Sequence, residues 1–431
     1  MQITIHRGIN QVGGCITEIA TATTRIFIDM GSNLPGEGEQ LSAEQEEELV
    51  NNLLAQNRRA HEAVFFTHSH PDHVGMLRYI PKEVPKYMSQ GTKDLLLIRE
   101  KVLAKAAEIS GDLSLWEPAV SAVIQSCMAW ERPKPRKAPD PILVGDIKVT
   151  PFFVSHSTYD ASMLLIEADG KTILHTGDYR GHGYLSKGLF PTLEKYVGQV
   201  DYLITEGTML GRKDICATEH EVSERMCHAM KAFKYVFVLA SSTDIERLAS
   251  INSAAKDAGR VLTACSLMMY STLDYFSKNA GHKLFDFDFE KYSPTHEKPQ
   301  LIAKMQRNGF VMVVGPSQGE RVQQIWNHFD PAQTLLIYSA WDGYYKLPEQ
   351  VAANPSYKEI REMFTNVVDI HTSGHADAAT IAKVIETVHP REGIIGIHKN
   401  AETSLTSLDL PEDLKAKIIP ENMLNDCLII K

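Results

Sequence analysis

The chain has 431 residues, of which 43% are hydrophobic and 23% are charged, and its formal net charge is −10. That length exceeds what one hydrophobic core usually supports, so we expect two domains, and the near-average composition argues against a low-complexity chain. The six cysteines form no C-x-x-C pair and no apolar run is long enough to span a bilayer. We therefore expect a soluble, cytoplasmic protein without a disulfide framework or membrane contact. The negative charge weighs mildly against a nucleic-acid partner without excluding one.

The first half of the sequence alternates short β segments with helical stretches. Strands are predicted at residues 2–5, 15–20, 25–29, 63–66, 147–154, 162–167, 172–175 and 202–205. Helices are predicted at residues 43–59, 93–109 and 115–130. The first three strands are separated by Gly and Thr clusters, which predicts a sheet layer at the start of the chain.

From about Gly211 the pattern changes to a regular alternation of helix and strand. It begins with a helix at 219–234, a strand at 235–240, a helix at 243–258 and a strand at 261–264, and continues to Ser339. Such alternation predicts βαβ units and a parallel sheet. After residue 365 come a strand at 366–370, a helix at 376–388, a strand at 393–398 and a closing strand near 427–430. We predict one domain made of residues 1–208 and 366–431, interrupted by a second domain at residues 209–365.

The strongest chemical signal is the segment Thr67-His68-Ser69-His70-Pro71-Asp72-His73, between the predicted strand at 63–66 and a predicted helix. Four side chains in this segment are potential metal ligands. Imidazole and carboxylate groups suit zinc and related ions, and a turn from strand to helix can direct neighbouring side chains to two centres. The H-x-H-x-D-H spacing predicts a metal site, whereas a single histidine would more often be a structural residue.

Two later segments supply further potential ligands after β-rich runs. His156 lies in Phe153-Val154-Ser155-His156-Ser157, and Asp178 lies in Leu174-His175-Thr176-Gly177-Asp178. Alone, each would more often be a turn residue at the end of a strand. Their order after the H-x-H-x-D-H motif favours a role in the same site.

Together with Gly13-Gly14 and Asp29, these motifs resemble the metallo-β-lactamase superfamily. The resemblance implies an αββα sandwich and two divalent metal ions, zinc or alternatively manganese. It assigns one metal to His68, His70 and His156, and the other to Asp72, His73 and His398. Asp178 would bridge the two ions, which matches the short separation of metals in two-metal hydrolysis.

An insertion of this size before the last metal histidine resembles the β-CASP branch of that superfamily, and within it the ribonuclease J family. The resemblance implies that the insertion is a β-CASP domain of parallel βαβ units. It gives catalytic roles to His375 as a general acid, to Asp72, and to Glu206, which would orient a metal-binding histidine. The H-x-S-G-H motif and two turns in the insertion would contact substrate phosphate through His371, Ser373, Gly374, His375, Ser241, Ser242 and Ser317.

The implied function is hydrolysis of RNA by a two-metal-activated hydroxide, directed to the 5′ end. Expected partners are single-stranded RNA, with DNA as the alternative polymer, and a second copy of the chain in a homodimer. The segment Trp341-Asp342-Gly343 departs from the ribonuclease J pattern, Lys399-Asn400 does so as well, and we expect the C-terminal domain of that family to be missing. The alternative functions are hydrolysis of a small ester, thioester or lactone, and nucleic-acid binding without catalysis.

Overall fold

The computed structural model describes residues 1–133, 137–212, 216–292, 299–424 and 428–429. These residues form two compact units. The first unit comprises Met1–Gly181, Leu185–Ile215 and Gly374–Lys431, and the second comprises His182–Tyr184 and Cys216–Ser373. Among the described residues, no helix is both long enough and apolar enough to cross a membrane.

Strands and helices alternate along most of the chain. The strands are β1 (Gln2–Arg7), β2 (Ile16–Ala20), β3 (Thr24–Ile28), β4 (His61–Phe65), β5 (Lys86–Ser89), β6 (Met128–Trp130), β7 (Ile142–Val144), β8 (Ile147–Phe153), β9 (Ser162–Ala168), β10 (Lys171–His175), β11 (Tyr202–Glu206), β12 (Tyr235–Leu239), β13 (Leu262–Ala264), β14 (Phe289–Lys291), β15 (Phe310–Val314), β16 (Thr334–Tyr338), β17 (Val367–Asp369), β18 (Gly393–Ile397) and β19 (Leu428–Ile429). The α-helices are α1 (Ala43–Ala55), α2 (Pro71–Val74), α3 (Gln90–Ser110), α4 (Pro118–Ser126), α5 (Leu189–Thr192), α6 (Glu219–Ala232), α7 (Ile245–Asp257), α8 (Leu267–Asn279), α9 (Pro299–Asn308), α10 (Gly319–Trp326), α11 (Gly343–Lys346), α12 (Pro348–Ala353), α13 (Pro355–Glu362), α14 (Ala378–Val388) and α15 (Glu412–Lys415).

The first unit contains two mixed sheets. One sheet has the order β19-β1-β2-β3-β4-β5-β6, antiparallel from β19 to β3 and parallel from β3 to β6. The other has the order β18-β11-β10-β9-β8-β7, antiparallel from β7 to β10 and parallel from β10 to β18. Strand β18 therefore completes the second sheet although it lies far from its neighbour β11 in sequence.

Three apolar clusters stack the layers of the first unit. The central cluster joins inward-facing residues of both sheets, such as Ile26 of β3 and Ile204 of β11. Next to Ile26, the side chain of Phe27 points to the other face, where it packs in a cluster with Val50 of α1. A third cluster places Ile385 of α14 on the outer face of the second sheet. Because side chains alternate along a strand, sheets covered on both faces by apolar layers produce an αββα sandwich.

The second unit is built around a parallel sheet with the order β14-β13-β15-β12-β16-β17. All residues of β12, β15 and β16 are buried, and their sequences are almost wholly apolar. Continuous apolar runs are typical of parallel strands covered on both faces. The predicted architecture, an αββα sandwich with a parallel-sheet α/β insertion, is thereby confirmed.

Some predicted elements differ from the structure. Residues 115–130 form a helix only at Pro118–Ser126, and Met128–Trp130 is a strand that pairs with Lys86–Ser89, which the sequence analysis did not predict. The strand predicted at 366–370 was assigned to the first domain, yet Val367–Asp369 pairs with β16 in the sheet of the second unit. Such short segments carry too few alternating positions to show to which sheet they belong. Of the predicted closing strand, Leu428–Ile429 pair with β1, while Cys427 and Ile430 lie outside the described residues.

Candidate metal centre

The predicted metal ligands lie where strands of the two sheets of the first unit end. His68 follows β4 of the first sheet, whereas His156, Asp178 and His398 follow β8, β10 and β18 of the second. The side chains of all four are at most 3% exposed. The sandwich therefore brings together residues that are more than 300 positions apart in sequence.

The turn after β4 is shaped by Pro71. A residue before proline is restricted to extended conformations, and His70 accordingly has φ −70° and ψ 145°. Pro71 then occupies the first turn of α2, which places Asp72 and His73 in that helix. The backbone of Gly31 packs directly against this helix, since a Cβ at Gly31 would lie 1.6 Å from the Asp72 carbonyl oxygen.

One group of side chains contains three histidines. The Nδ1 atom of His70 lies 3.2 Å from Nε2 of His68 and 3.1 Å from Nε2 of His156. The Oδ2 atom of Asp178 lies 3.8 Å from the His68 nitrogen and 3.7 Å from the His156 nitrogen. These are the residues that the family resemblance assigns to the first metal, with the carboxylate expected to bridge.

A second group faces the same carboxylate oxygen. Oδ2 of Asp178 lies 3.2 Å from Nε2 of His73 and 3.5 Å from Nε2 of His398. Oδ2 of Asp72 lies 3.1 Å from the His398 nitrogen and 3.7 Å from the His73 nitrogen. Asp178 is thus the member common to both groups, and the three histidines of the first group lie close enough together to hold one cation.

Hydrogen bonds on the far side of the rings define which nitrogen of His68 and His73 carries a proton. Nδ1 of His73 lies 2.8 Å from Oδ2 of Asp29, a carboxylate that only accepts. The Thr67 hydroxyl donates to the same carboxylate oxygen at 2.8 Å, so its oxygen accepts from Nδ1 of His68 at 3.0 Å. Both rings therefore carry the proton on Nδ1 and present Nε2 to the cluster.

His156 and His398 are held in the same way. Nδ1 of His156 donates to the Gly374 carbonyl at 2.7 Å, and a carbonyl oxygen cannot donate. The Thr208 hydroxyl donates to the His398 carbonyl at 3.1 Å and accepts from Nδ1 of His398 at 2.6 Å. Four imidazoles thus direct Nε2 towards Asp178, and partners of this kind fix the orientation of metal-binding histidines.

The electrostatics of the cluster call for positive charge at its centre. Burial, together with neighbouring histidines, lowers the pKa of His68 and His156, which keeps them as the neutral imidazoles that bind metals. Burial raises the pKa of Asp72, yet the surrounding histidines outweigh this and lower it to about 2. Nε2 of His73 is buried and lies 3.2 Å from Oδ2 of Asp178. Facing lone pairs and carboxylates at 3.1–3.8 Å fit divalent cations between them.

Glu206 holds His375 at the edge of the cluster. Its Oε2 lies 3.1 Å from Nδ1 of His375, and its Oε1 accepts from the backbone amides of Tyr179 and Ala376. Burial lowers the pKa of His375, but the charges of Glu206 and Asp178 outweigh it and raise the pKa to about 9. Glu206 was expected to orient a metal-binding histidine; the ring that it holds is instead that of the predicted acid, whose side chain is 20% exposed.

The predicted phosphate-binding motif H-x-S-G-H is divided between the units. His371 and Ser373 belong to the second unit, and Gly374 and His375 belong to the first. The missing side chain of Gly374 makes room for Ser157, because a Cβ at Gly374 would lie 2.3 Å from the Ser157 hydroxyl oxygen. The phosphate contacts of the motif stay a prediction.

The two predicted phosphate-binding turns of the second unit differ in character. Ser241 and Ser242 precede α7, but the first turn of that helix is capped by the carboxylate of Asp244, which disfavours a bound anion there. Ser317 is exposed in the turn before α10, and no side chain caps that helix. The role of these serines remains a prediction.

Asp29 accepts a hydrogen bond from His73, and Thr208 accepts one from His398. Neither role was predicted from the sequence. Asp29 has φ 62°, and His398 has φ 51°, a left-handed conformation that non-glycine residues seldom adopt. Strained backbone of this kind is concentrated at functional sites. A potential partner for each histidine could have been sought among acidic and hydroxyl residues after strands, but the sequence alone does not show which strand ends meet.

Comparisons with known proteins identify a family and several distant relatives of the chain. Residues 24–238 match a family described as the beta-lactamase superfamily domain. The chain is 22% identical to ribonuclease J of Sinorhizobium meliloti over 81% of its length, and 21% identical to ribonuclease J of Helicobacter pylori over 91%. It is 22% identical to the transcription termination factor FttA of Pyrococcus abyssi over 94% of its length.

These matches cover 59%, 55% and 67% of the respective relatives, so the chain spans about three fifths of their length. A crystal structure of a protein of unknown function from Enterococcus faecalis V583 superposes with a TM-score of 0.72 and 20% identity. That superposition covers 100% of this chain and 99% of the other, so the two proteins have the same fold.

Proposed function

We propose that this chain, which carries a metallo-β-lactamase superfamily domain and is distantly related to ribonuclease J over most of its length, is a metal-dependent phosphodiesterase that hydrolyses RNA. The observation that carries the proposal is the convergence of four histidine Nε2 atoms on Oδ2 of Asp178. The cleaved polymer would be single-stranded RNA, attacked from its 5′ end.

The side chains around Asp178 support a site for two divalent ions. His68, His70 and His156 would hold one ion, and Asp72, His73 and His398 would hold the other, with Asp178 between them. When bound, two such ions supply a nucleophile at neutral pH and neutralise charge on a phosphate. Zinc suits this set of imidazole and carboxylate donors, and manganese is compatible with it.

His375 would supply the proton that the leaving ribose oxygen needs. The Glu206 carboxylate, 3.1 Å away, favours the protonated imidazole and fixes Nδ1 as a donor to the carboxylate. Proton transfer to a substrate oxygen would therefore occur from Nε2. Backbone amides of Tyr179 and Ala376 in turn hold Glu206, so the ring is oriented before substrate binds.

The nucleic-acid part of the proposal is supported by the relatives. Matches to ribonuclease J cover 81–91% of the chain and so extend beyond the superfamily domain at 24–238. We propose that the inserted domain, residues 209–365, is of the β-CASP type and that His371, Ser373, Gly374 and His375 contact substrate phosphate. A contact between a hydrogen-bond donor and a phosphate contributes about 1.5–3 kcal/mol.

The test compares cleavage of one labelled RNA oligonucleotide with a 5′-monophosphate, a 5′-triphosphate or a 5′-hydroxyl, at two salt concentrations. We expect the monophosphate to be preferred over the hydroxyl by roughly 10- to 150-fold, and the preference to shrink as salt rises. His220→Ala is a matched control for changes at His375, because the His220 side chain is 74% exposed and lies outside the cluster.

Three outcomes separate the competing functions. Equal rates for all ends with internal cuts would replace 5′-directed cleavage by endonuclease activity. Cleavage of DNA in preference to RNA would change the polymer. Hydrolysis of a small thioester or lactone without cleavage of either nucleic acid would reject the phosphodiesterase proposal and support the small-ester alternative.

A further inference from the structure

A buried arginine of the second unit contacts the start of the H-x-S-G-H motif. Arg247 lies in the first turn of α7, and its side chain is 2% exposed. The residue that it reaches, His371, follows β17 and is 124 positions away in sequence. Nothing in the local sequence of α7 indicates this contact.

Every N–H group of the Arg247 guanidinium has an acceptor. Nε and Nη2 donate to the carboxylate of Glu219 at 2.9–3.2 Å, and Nη2 also donates to the Thr372 carbonyl at 2.9 Å. Nη1 donates to the Ser339 hydroxyl at 2.7 Å and lies 3.0 Å from Nδ1 of His371. The side chain of Glu219 is fully buried, so it neutralises the arginine in place.

The contact with Nη1 determines the protonated nitrogen of His371. A guanidinium only donates hydrogen bonds and is not deprotonated in proteins. Nδ1 of His371 must therefore accept, and the proton of the neutral ring lies on Nε2. A proton on Nδ1 would point at the cationic group, which makes that form unfavourable.

We propose that Arg247 is a positioning residue for a phosphate-binding site at His371. It fixes the ring as the Nε2–H form, a hydrogen-bond donor, and through Thr372 it fixes the backbone beside the ring. An anionic phosphate oxygen of the substrate accepts from that N–H. This inference rests on the proposed function for the identity of the substrate, but the state of the ring can be measured without catalysis.

The first measurement is NMR of the full-length, metal-loaded protein labelled with ¹⁵N-histidine. The His371 signals are identified by their absence from His371→Ala. We expect an unprotonated Nδ1 and a protonated Nε2 in the wild type, and inorganic phosphate should shift the Nε2–H resonance. A protonated Nδ1 in the wild type would overturn the inference, whether or not any Arg247 variant folds.

The second measurement is a double-mutant cycle with Arg247→Lys and His371→Ala. Lysine keeps a positive charge beside Glu219 but lacks the planar fork that reaches several acceptors together. We expect Arg247→Lys to weaken inorganic phosphate binding and to raise KM for the 5′-monophosphate RNA, each by roughly 10-fold, with kcat changed less than about 3-fold. In the His371→Ala background the same change should have little further effect on KM.

Arg25→Lys is the matched control. Arg25 is also buried, pairs with Glu62 and donates to backbone carbonyls, but it belongs to the first unit and contacts no residue of the motif. If Arg247 has a purely structural role, Arg247→Lys lowers stability as the control does but leaves phosphate binding unaltered. The effects of Arg247→Lys and His371→Ala on KM are then additive. That result would overturn the inference. If RNA is not cleaved but phosphate still shifts the His371 resonance, the inference holds and the proposed function fails.

Discussion

His73 and His156 of the first unit carry a proton on Nδ1, whereas His371 of the second unit carries its proton on Nε2. The hydrogen-bond partner of each ring explains the difference. In the first unit, acceptors such as Asp29 and the Gly374 carbonyl hold a proton on Nδ1, so His73 and His156 present a lone pair. In the second unit, the donor Arg247 occupies Nδ1 of His371, so that ring presents an N–H. A residue that could bind a metal and a residue that could bind an anion thus differ by one hydrogen-bond partner.

The two networks also differ in whether they are complete. Arg247 and Glu219 satisfy each other at hydrogen-bond distances of 2.9–3.2 Å. Around Asp178 the contacts to His73 and His398 are 3.2 and 3.5 Å, but those to His68 and His156 are 3.7–3.8 Å, longer than hydrogen bonds, and several lone pairs face one another. A self-contained network stabilises a fold, whereas an incomplete one is suited to an added ion.

We expect the largest effect on activity from Asp178→Asn. The change keeps the volume of the side chain but removes the charge on which both groups of ligands converge. We expect kcat to fall on the order of 10³-fold or more and the bound metal per chain to decrease, with the fold retained. Elemental analysis and steady-state kinetics measure both. Asp201→Asn is the control, since Asp201 is buried but bound by Thr172 and Arg391. Turnover above about a tenth of wild type would show that Asp178 is not the bridge.

His375→Ala separates the proton donor from the metal ligands. Because His375 is held by Glu206, its loss should lower kcat by roughly 10²- to 10⁴-fold, the range for a general acid, without changing metal content. Kinetics and elemental analysis of the same preparation provide the measurement. Loss of metal from this variant would instead place His375 among the ligands.

Glu219→Gln tests the complete network of the second unit. The variant leaves the buried charge of Arg247 without a counterion, so we expect the free energy of unfolding to decrease by about 3–5 kcal/mol, with metal content unchanged. Urea denaturation followed by circular dichroism measures this. Glu224→Gln in the same helix is the control, because the Glu224 side chain is 67% exposed. A decrease below about 1 kcal/mol would mean that the pair contributes little.

We expect the smallest effect from Asp29→Asn, which tests how a partner of His73 in the first unit contributes to metal affinity. Asparagine tolerates the left-handed backbone of Asp29, φ 62°, and can still accept from His73, but it lacks the charge and loses the hydrogen bond from the Thr67 backbone amide. We expect metal affinity to fall roughly 10- to 100-fold, as for other residues that orient metal-binding histidines. Titration against a competing chelator gives the affinity. Equal affinity in both proteins would exclude a role for the Asp29 charge in metal binding.

The sequence predicted what local patterns encode. The parallel strands of the second unit and the dense H-x-H-x-D-H segment were evident because periodicity and spacing are contained in a few neighbouring residues. It did not indicate the strand at Met128–Trp130, which is too short for alternation to be recognised. It also did not pair Glu206 with His375, or Arg247 with His371, since these contacts depend on how distant strand ends and helices are brought together.

The closing of the second sheet by β18 has a consequence for synthesis of the protein. His398 follows β18, which pairs with β11 only after nearly 200 intervening residues have been made. A nascent chain can fold its early strands and display His68, His70 and His156 well before that ligand emerges from the ribosome. The second group of donors is then completed in a late step, so a partly synthesised chain carries only part of the proposed ligand set.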